Sequence, residues 1–132
     1  MQKKEYGWRK KYLDLNDLSS YKLAMELGTI VWDIVYEWEY FAKDTIGKQF
    51  VRCVDSVAAN IAEGFGRYGK RSRVLFFRYA YGSLYEARSW TQKSFDRKLI
   101  TEDQLLKIRK YLEALPVEIH HLIKFTNERL KF

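Results

Sequence analysis

The clearest helical pattern in the chain lies in residues 101–130, TEDQLLKIRKYLEALPVEIHHLIKFTNERL. Apolar residues recur there every three or four positions, which is the period of one face of an α-helix. Thr101 and Gln104 have the spacing of a capping box at its start. Pro116 removes one backbone hydrogen bond, so it predicts a kink near Leu112 without a break. The stripe consists of Leu105, Ile108, Leu112, Leu115, Ile119, Leu122 and Thr126.

A second stripe of the same period begins after residue 20. Ser19 and Ser20, which follow Asp17, supply the side-chain oxygens that cap a helix start. Gly47 predicts a break, or a weak point, before the next helix. The members of this stripe are Leu23, Leu27, Ile30, Ile34, Trp38 and Phe41.

Two further stripes follow Gly47 and Lys70. Gly64, Gly66 and Gly69 mark the end of the first, because glycine adopts the left-handed conformation that closes a helix. That stripe contains Phe50, Val54, Val57, Ile61 and Phe65, widened by Val51 and Ala58. The other runs through Leu75, Tyr79, Gly82, Ser83, Glu86 and Trp90 to about Phe95, and the spacing also assigns Phe65, Phe76 and Tyr79 to the core.

These patterns predict an all-α fold, an up-down-up-down antiparallel four-helix bundle. A basic N-terminal arm, residues 1–15, precedes the bundle, residues 16–132. The helices are expected at about 20–40, 46–66, 71–95 and 102–130. We find no internal repeat and no second domain.

Composition supports a folded protein of one domain. The chain has 132 residues, of which 47% are hydrophobic, and this argues against disorder. A single cysteine cannot form an internal disulfide, the basic start lacks the apolar core of a signal peptide, and no apolar run is long enough to span a bilayer. We therefore expect a cytoplasmic protein without membrane contact.

The net charge of +7 is unevenly distributed. Residues 1–13 sum to +4, residues 14–55 to −4, residues 56–98 to +6 and residues 99–132 to +1. The acidic and basic parts either pair with each other, within or between chains, or leave the basic part for an anionic partner.

Catalytic motifs are incomplete. Glu118 and His121 have the spacing of di-iron ligands, but the only other histidine is the adjacent His120. Cys53 lies beside an apolar stripe, which predicts a buried thiol and not a nucleophile. We expect no catalytic residue, no metal and no cofactor.

Two further motifs have non-catalytic interpretations. The glycines of residues 64–70 have dinucleotide-fingerprint spacing but follow a helix, so a helix–helix turn is favoured. Glu63 and Glu86 resemble a pair of acids, but no other acid–base group accompanies them, so we expect them to accept hydrogen bonds inside the bundle.

Basic and aromatic residues alternate between Glu63 and Glu86, where no acid occurs. Basic side chains neutralise phosphates and aromatic rings stack on bases, although such a segment also fits a solvated helix end or a protein partner. The predicted nucleic-acid contacts are Arg67, Tyr68, Lys70, Arg71 and Arg73, with Lys3, Lys4, Arg9, Lys10 and Lys11 of the arm.

Residues 56–67, SVAANIAEGFGR, and residues 80–86, AYGSLYE, resemble the signature of the rRNA intervening-sequence protein family. The resemblance covers about residues 18–128. It implies a four-helix bundle without known enzymatic activity that assembles into a ring, typically a homopentamer. A distantly similar bundle, the accessory variability determinant of diversity-generating retroelements, partners a reverse transcriptase and binds nucleic acid.

The signature also contains polar residues one helical turn apart, Asn60 with Glu63 and Ser83 with Glu86. We hypothesise that they form a buried polar network that fixes helix register, while Gly82 permits close approach. The set is Arg52, Asn60, Glu63, Arg78, Ser83 and Glu86.

The sequence therefore predicts a non-enzymatic oligomeric bundle that binds RNA or DNA. The alternative is an adaptor for a reverse transcriptase or another retroelement enzyme. Trp32, Tyr36 and Tyr40 lie off the main stripe and predict a subunit interface, or else a broad monomer core.

Overall fold

A computed structural model of the chain describes residues 13–132. It contains four long helices, α1 (Ser19–Tyr36), α2 (Lys48–Phe65), α3 (Lys70–Asp96) and α4 (Glu102–Arg129). A 3-10 turn, Leu15–Asp17, precedes α1. A helical turn, Tyr40–Ala42, and a π-helical segment, Lys43–Gly47, lead into α2. Residues 13–132 contain no strand.

The helices form the predicted four-helix bundle. Each helix packs against its neighbours in chain order, and α1 closes the bundle against α4. All four contribute to a single core, in which Phe50, Phe77, Leu84 and Ile108 are fully buried. No helix within residues 13–132 is long and apolar enough to cross a membrane.

The α4 stripe is the most accurate prediction. Leu105, Ile108, Leu112, Leu115, Ile119 and Thr126 are buried as expected, while Ile123 is buried more fully than Leu122. The Thr101 hydroxyl accepts from the Gln104 N–H at 3.1 Å, and the Gln104 side chain accepts from the Thr101 N–H at 2.9 Å. This reciprocal pair is the predicted capping box, and the helix continues through Pro116.

The first helix begins within one residue of the predicted start, but its predicted cap and its predicted end are wrong. Leu18 occupies the N-cap and makes no side-chain cap, because the 3-10 turn leads directly into α1. The Ser19 hydroxyl instead donates to Glu118 on α4. The helix ends at Tyr36, and Phe41 beyond it is 79% exposed. The buried face consists of Ser20, Ala24, Leu27, Gly28, Val31 and Val35.

Gly47 does not break the helix as predicted. The π-helical turn carries the chain through it with right-handed backbone angles, φ −57° and ψ −46°. A Cβ at this position would lie 2.7 Å from Val35 Cγ1 on α1, which is closer than two non-bonded carbon atoms approach. The glycine is therefore needed for the close approach of two helices.

The closure of α2 also differs from the prediction. Gly66 caps the helix in a right-handed conformation, with φ −81°, so no left-handed glycine ends it. Gly64 lies inside the helix, where a Cβ would come within 2.6 Å of the Phe77 ring and 3.0 Å of the Arg73 carbonyl oxygen. The absence of a side chain at Gly64 therefore allows α2 to pack closely on α3.

The predicted core face of the third helix is wrong as far as Glu86, whereas Trp90 and Phe95 pack against the core as expected. Leu75, Tyr79, Gly82 and Glu86 are exposed, and Tyr79 retains 50% of its accessible surface. Small residues form most of the buried face, so the larger exposed side chains dominate the sequence pattern. The buried residues of α3 are Phe77, Ala80, Leu84, Ala87, Thr91 and Ser94, while Phe65 and Phe76 are partly buried.

Candidate nucleic-acid interface

The predicted nucleic-acid residues surround the turn between α2 and α3, residues 66–69. Tyr68 projects from this turn and is 94% exposed. Lys70, Arg71 and Arg73 belong to the first turn of α3, which contains no acidic residue. The arm residues Lys3, Lys4, Arg9, Lys10 and Lys11 lie outside the described residues.

Two of the predicted contacts make intramolecular interactions. Arg67 pairs with Glu63 one turn earlier, with Nη2 2.8 Å from Oε2, and its guanidinium lies 4.5 Å from the Phe76 ring centroid. Arg73 Nε donates to the Arg67 carbonyl oxygen at 2.7 Å. These interactions hold the turn in place. The main role of Arg67 and Arg73 is therefore to position the turn, and their charges are less available to a ligand.

Lys70 and Arg71 line a groove between α3 and the end of α4, which we call the basic groove. Its cations are Lys70, Arg71, Arg78 and Lys131. The cavity has a volume of about 460 Å³, and no carboxylate side chain lines it. The Lys70 N–H donates to the Phe132 carbonyl oxygen at 2.7 Å, which holds the chain after α4 beside the start of α3.

The sequence-based prediction omitted part of this groove. Arg78 was assigned to an internal network and Lys131 to no site, although bundle topology places the end of α4 beside the start of α3. Arg71 and Arg78 are two helical turns apart on one face, which is the signal that could have linked them.

The start of α3 is electrostatically unusual. Gly69 is the N-cap and provides no side-chain acceptor, and Lys70, Arg71 and Arg73 follow it. Helix N-termini carry partial positive charge and normally attract acidic residues. Cations at this end reinforce that charge, so the local field favours an anion.

The predicted buried network does not form as expected. Within residues 13–132, Ser83 is the only member of the set that bonds between α2 and α3, and its partner is Ser56, which is outside the set, with the two Oγ atoms 2.5 Å apart. Asn60 Nδ2 donates to the Ser56 carbonyl oxygen at 2.8 Å on its own helix. Asn60 and Ser83 are partly buried, whereas the charged members of the set are exposed, so the set does not form one buried network.

The charged members of the set lie apart. Glu63 pairs with Arg67, and Glu86 accepts from Trp90 Nε1 at 2.9 Å. Arg52 and Arg78 are exposed on different surfaces. Gly82 has no neighbour within 4 Å of an added Cβ, so the predicted close approach occurs at Gly64.

The residues of the incomplete metal motif, Glu118, His120 and His121, all lie on α4. Glu118 accepts the Ser19 hydrogen bond, while His120 and His121 are exposed. No cluster of three or more potential metal ligands occurs in residues 13–132. The glycine-rich segment is the connection between α2 and α3.

Cys53 is buried in α2 and provides a test of the core. Burial, with smaller contributions from the carboxylates of Glu86 and Asp55, raises the pKa of its thiol to about 12. An unfolded thiol has a pKa of about 8.5, so above that pH the unfolded state loses its proton first. The stabilisation that this protonated thiol contributes is therefore fully present below about pH 8.5, and it is lost as the pH rises toward the pKa of the folded state.

We expect the free energy of unfolding to fall by up to about 1.4 kcal/mol per pH unit above pH 9 through this thiol. Urea titrations at pH 7, 9 and 10 measure the slope, and the Cys53→Ala variant is the control because it lacks the titrating group. Equal slopes in both proteins would show that the thiol does not contribute.

Comparison with known proteins supports this fold. A crystal structure from Bacteroides thetaiotaomicron, of a protein with unknown function from the S23 ribosomal protein family, is similar with a TM-score of 0.71 and 17% identity. The alignment covers 80% of this chain and 98% of that chain. No curated protein matches. The model of the 23S rRNA-intervening sequence protein family matches residues 16–121, and the chain therefore belongs to that family.

Proposed function

We propose that this chain is a non-enzymatic, self-associating bundle that binds the phosphate backbone of RNA or DNA through the basic groove and the α2–α3 turn. The observation that carries the proposal is the convergence of four cations, from α3 and from the residues that follow α4, on a groove lined by no Asp or Glu side chain. Phosphate contacts of this kind supply most sequence-independent affinity for nucleic acid.

The neighbouring turn supports the same function. Tyr68 is nearly fully exposed, two residues before Lys70, so a base next to a bound phosphate could stack on its ring. Arg67 and Arg73 brace the turn that presents it. The arm cations, residues 1–12, would add phosphate contacts.

The rest of the proposal rests on family membership and exposed apolar surface. The family name refers to intervening sequences of 23S rRNA, which makes RNA the first ligand to test. Resemblance to the family implies a homopentamer, and we propose self-association in the cytoplasm, without a cofactor.

The test is a fluorescence-anisotropy titration of a 5′-labelled 20-nucleotide RNA, and of a DNA duplex of the same length, between 50 and 200 mM salt. Four groove contacts predict that log K falls with log salt with a slope of about −3 on single strands. Absence of binding at 50 mM salt would refute the proposal. Co-purification with a reverse transcriptase would then test the adaptor alternative.

A further inference from the structure

A row of basic and aromatic side chains continues from the basic groove along α3. Arg78 is the last residue of α3 that lines the groove. Helix positions three or four residues apart lie on the same face, and this spacing continues beyond Arg78 for three more turns. We call the row the basic–aromatic face, and it consists of Arg71, Val74, Arg78, Tyr81, Tyr85 and Arg88.

The two tyrosines of this face lie against each other. The ring centroids of Tyr81 and Tyr85 are 5.2 Å apart, with an angle of 57° between the ring planes. The Arg88 guanidinium lies 5.4 Å from the Tyr85 ring centroid. Aromatic and cation–π contacts of this kind orient rings at a surface. Tyr81 is partly buried against the core, while Tyr85 is 50% exposed, so an oriented ring surface remains accessible beside a cation.

The charges of this face are available to an anion. Within residues 13–132, neither Arg78 nor Arg88 forms an ion pair. The two carboxylates of α3 are Glu86 and Asp96. Glu86 lies off the face, because adjacent helix positions are about 100° apart, and Asp96 lies two turns beyond Arg88.

The neighbouring side of α4 is also basic on balance. Asn127 marks the side of α4 that meets the basic groove. Four further positions fall within about 60° of it around the helix. They supply two cations, one carboxylate and one histidine, all exposed, namely Arg109, Glu113, His120 and Lys124.

The length and chemistry of the face match an unpaired strand. From Arg71 to Arg88 it extends about 26 Å along the helix. A strand at about 3.4 Å per nucleotide covers that length with about eight nucleotides. Cations with rings between them suit a strand in which phosphates alternate with exposed bases, whereas the bases of a duplex are stacked on one another and are not open to side-chain rings.

We propose that the basic–aromatic face binds an unpaired RNA strand that continues from the basic groove. Its bases stack on the rings of Tyr81 and Tyr85. Its phosphates contact Arg78 and Arg88. This inference rests on the proposed function and deepens it, because it assigns residues that recognise unpaired bases in addition to those that hold phosphates.

The test compares three probes, each labelled at the 5′ end, by fluorescence anisotropy at 50 mM salt. They are a ten-nucleotide oligouridylate, an abasic strand with the same phosphates, and an RNA duplex of ten base pairs. Wild type should bind oligouridylate about fivefold or more tightly than the abasic strand, because only the former offers bases for stacking.

The Tyr85→Ala variant removes one stacking ring. It should weaken binding of oligouridylate about fivefold or more, and change the affinities for the abasic strand and the duplex less than about twofold. Tyr85→Phe keeps the ring and should bind as wild type does. Tyr79→Ala is the matched control, because Tyr79 lies on the same helix, is also 50% exposed and is off the face. Circular dichroism checks that each variant keeps its helix content.

The Arg88→Gln variant tests the phosphate contact. It should weaken binding of the oligouridylate and the abasic strand alike, and it should make the slope of log K against log salt shallower by about 0.7. An unchanged slope would overturn the assignment of Arg88.

The results separate this inference from the proposed function. Equal affinity of wild type for oligouridylate and the abasic strand, or equal loss in Tyr85→Ala and Tyr79→Ala, would overturn base recognition by this face. The basic groove is unchanged in these variants, so phosphate binding would stand, and the face would respond to charge alone, as it would toward an acidic protein segment. Absence of binding to all three probes would overturn both proposals.

Discussion

Replacing Gly64 with alanine is expected to lower the free energy of unfolding by about 2–3 kcal/mol, the range for inserting a carbon into a packed core. The new Cβ would lie 2.6 Å from Phe77 Cε1 and 3.0 Å from the Arg73 carbonyl oxygen. Phe77 is fully buried and the second atom is backbone, so neither can yield without moving α3 away from α2. The loss exceeds the gain of roughly 1 kcal/mol that alanine brings to a helix interior.

Gly82→Ala is the matched control, since it is the same chemical change on a helix with no atom within 4 Å. It should raise the free energy of unfolding by up to about 1 kcal/mol. Thermal denaturation measures both, and the Gly64 variant should melt roughly 10 °C lower than wild type. Equal melting temperatures for the two variants would contradict the close packing of α2 on α3.

Reversing two charges of the basic groove, Arg71→Glu with Arg78→Glu, is expected to weaken RNA binding by about 100-fold or more at 0.15 M salt. Each lost phosphate contact costs roughly fivefold in affinity at that salt, and a carboxylate in its place repels the backbone. The slope of log K against log salt should also become shallower, by the amount expected for the loss of about two phosphate contacts. Anisotropy titration at several salt concentrations measures both effects.

The control is Lys107→Glu with Lys110→Glu on the first part of α4. These side chains are exposed, and the pair changes net charge by the same amount. Lys110 and Lys131 are separated by about 30 Å along the helix direction. If both pairs weaken binding equally, net charge governs affinity and the basic groove is not the site.

Sequence periodicity predicted α4 and α2 well because each has a single strong apolar face. On α4, the buried face and the Thr101 cap agree with the pattern. On α3, the same reasoning selected the wrong face, because Tyr79 and Leu75 are large and exposed while Ala80 and Ala87 are small and buried. Periodicity shows that an apolar face exists but not whether it packs inside the chain.

The candidate site was predicted in part. Local composition indicated the α2–α3 turn, including Tyr68, because its residues are consecutive. It did not include Lys131, since the end of the chain meets the start of α3 through the Lys70–Phe132 hydrogen bond, between residues 62 positions apart. The pairing of Arg67 with Glu63 was also not predicted, because the sequence does not show whether a surface arginine is free or paired with a carboxylate.

The short turn at residues 66–69 has a consequence for the order of folding. It joins the two helices that pack through Gly64 and Phe77, so their contacts are close in sequence. Closing this short loop therefore costs little conformational entropy. Local contacts of this kind favour early formation in a folding transition state. We therefore expect the α2–α3 hairpin to nucleate the bundle. The turn that presents Tyr68 and the face that presents Tyr85 would both be in place before α1 and α4 complete the core.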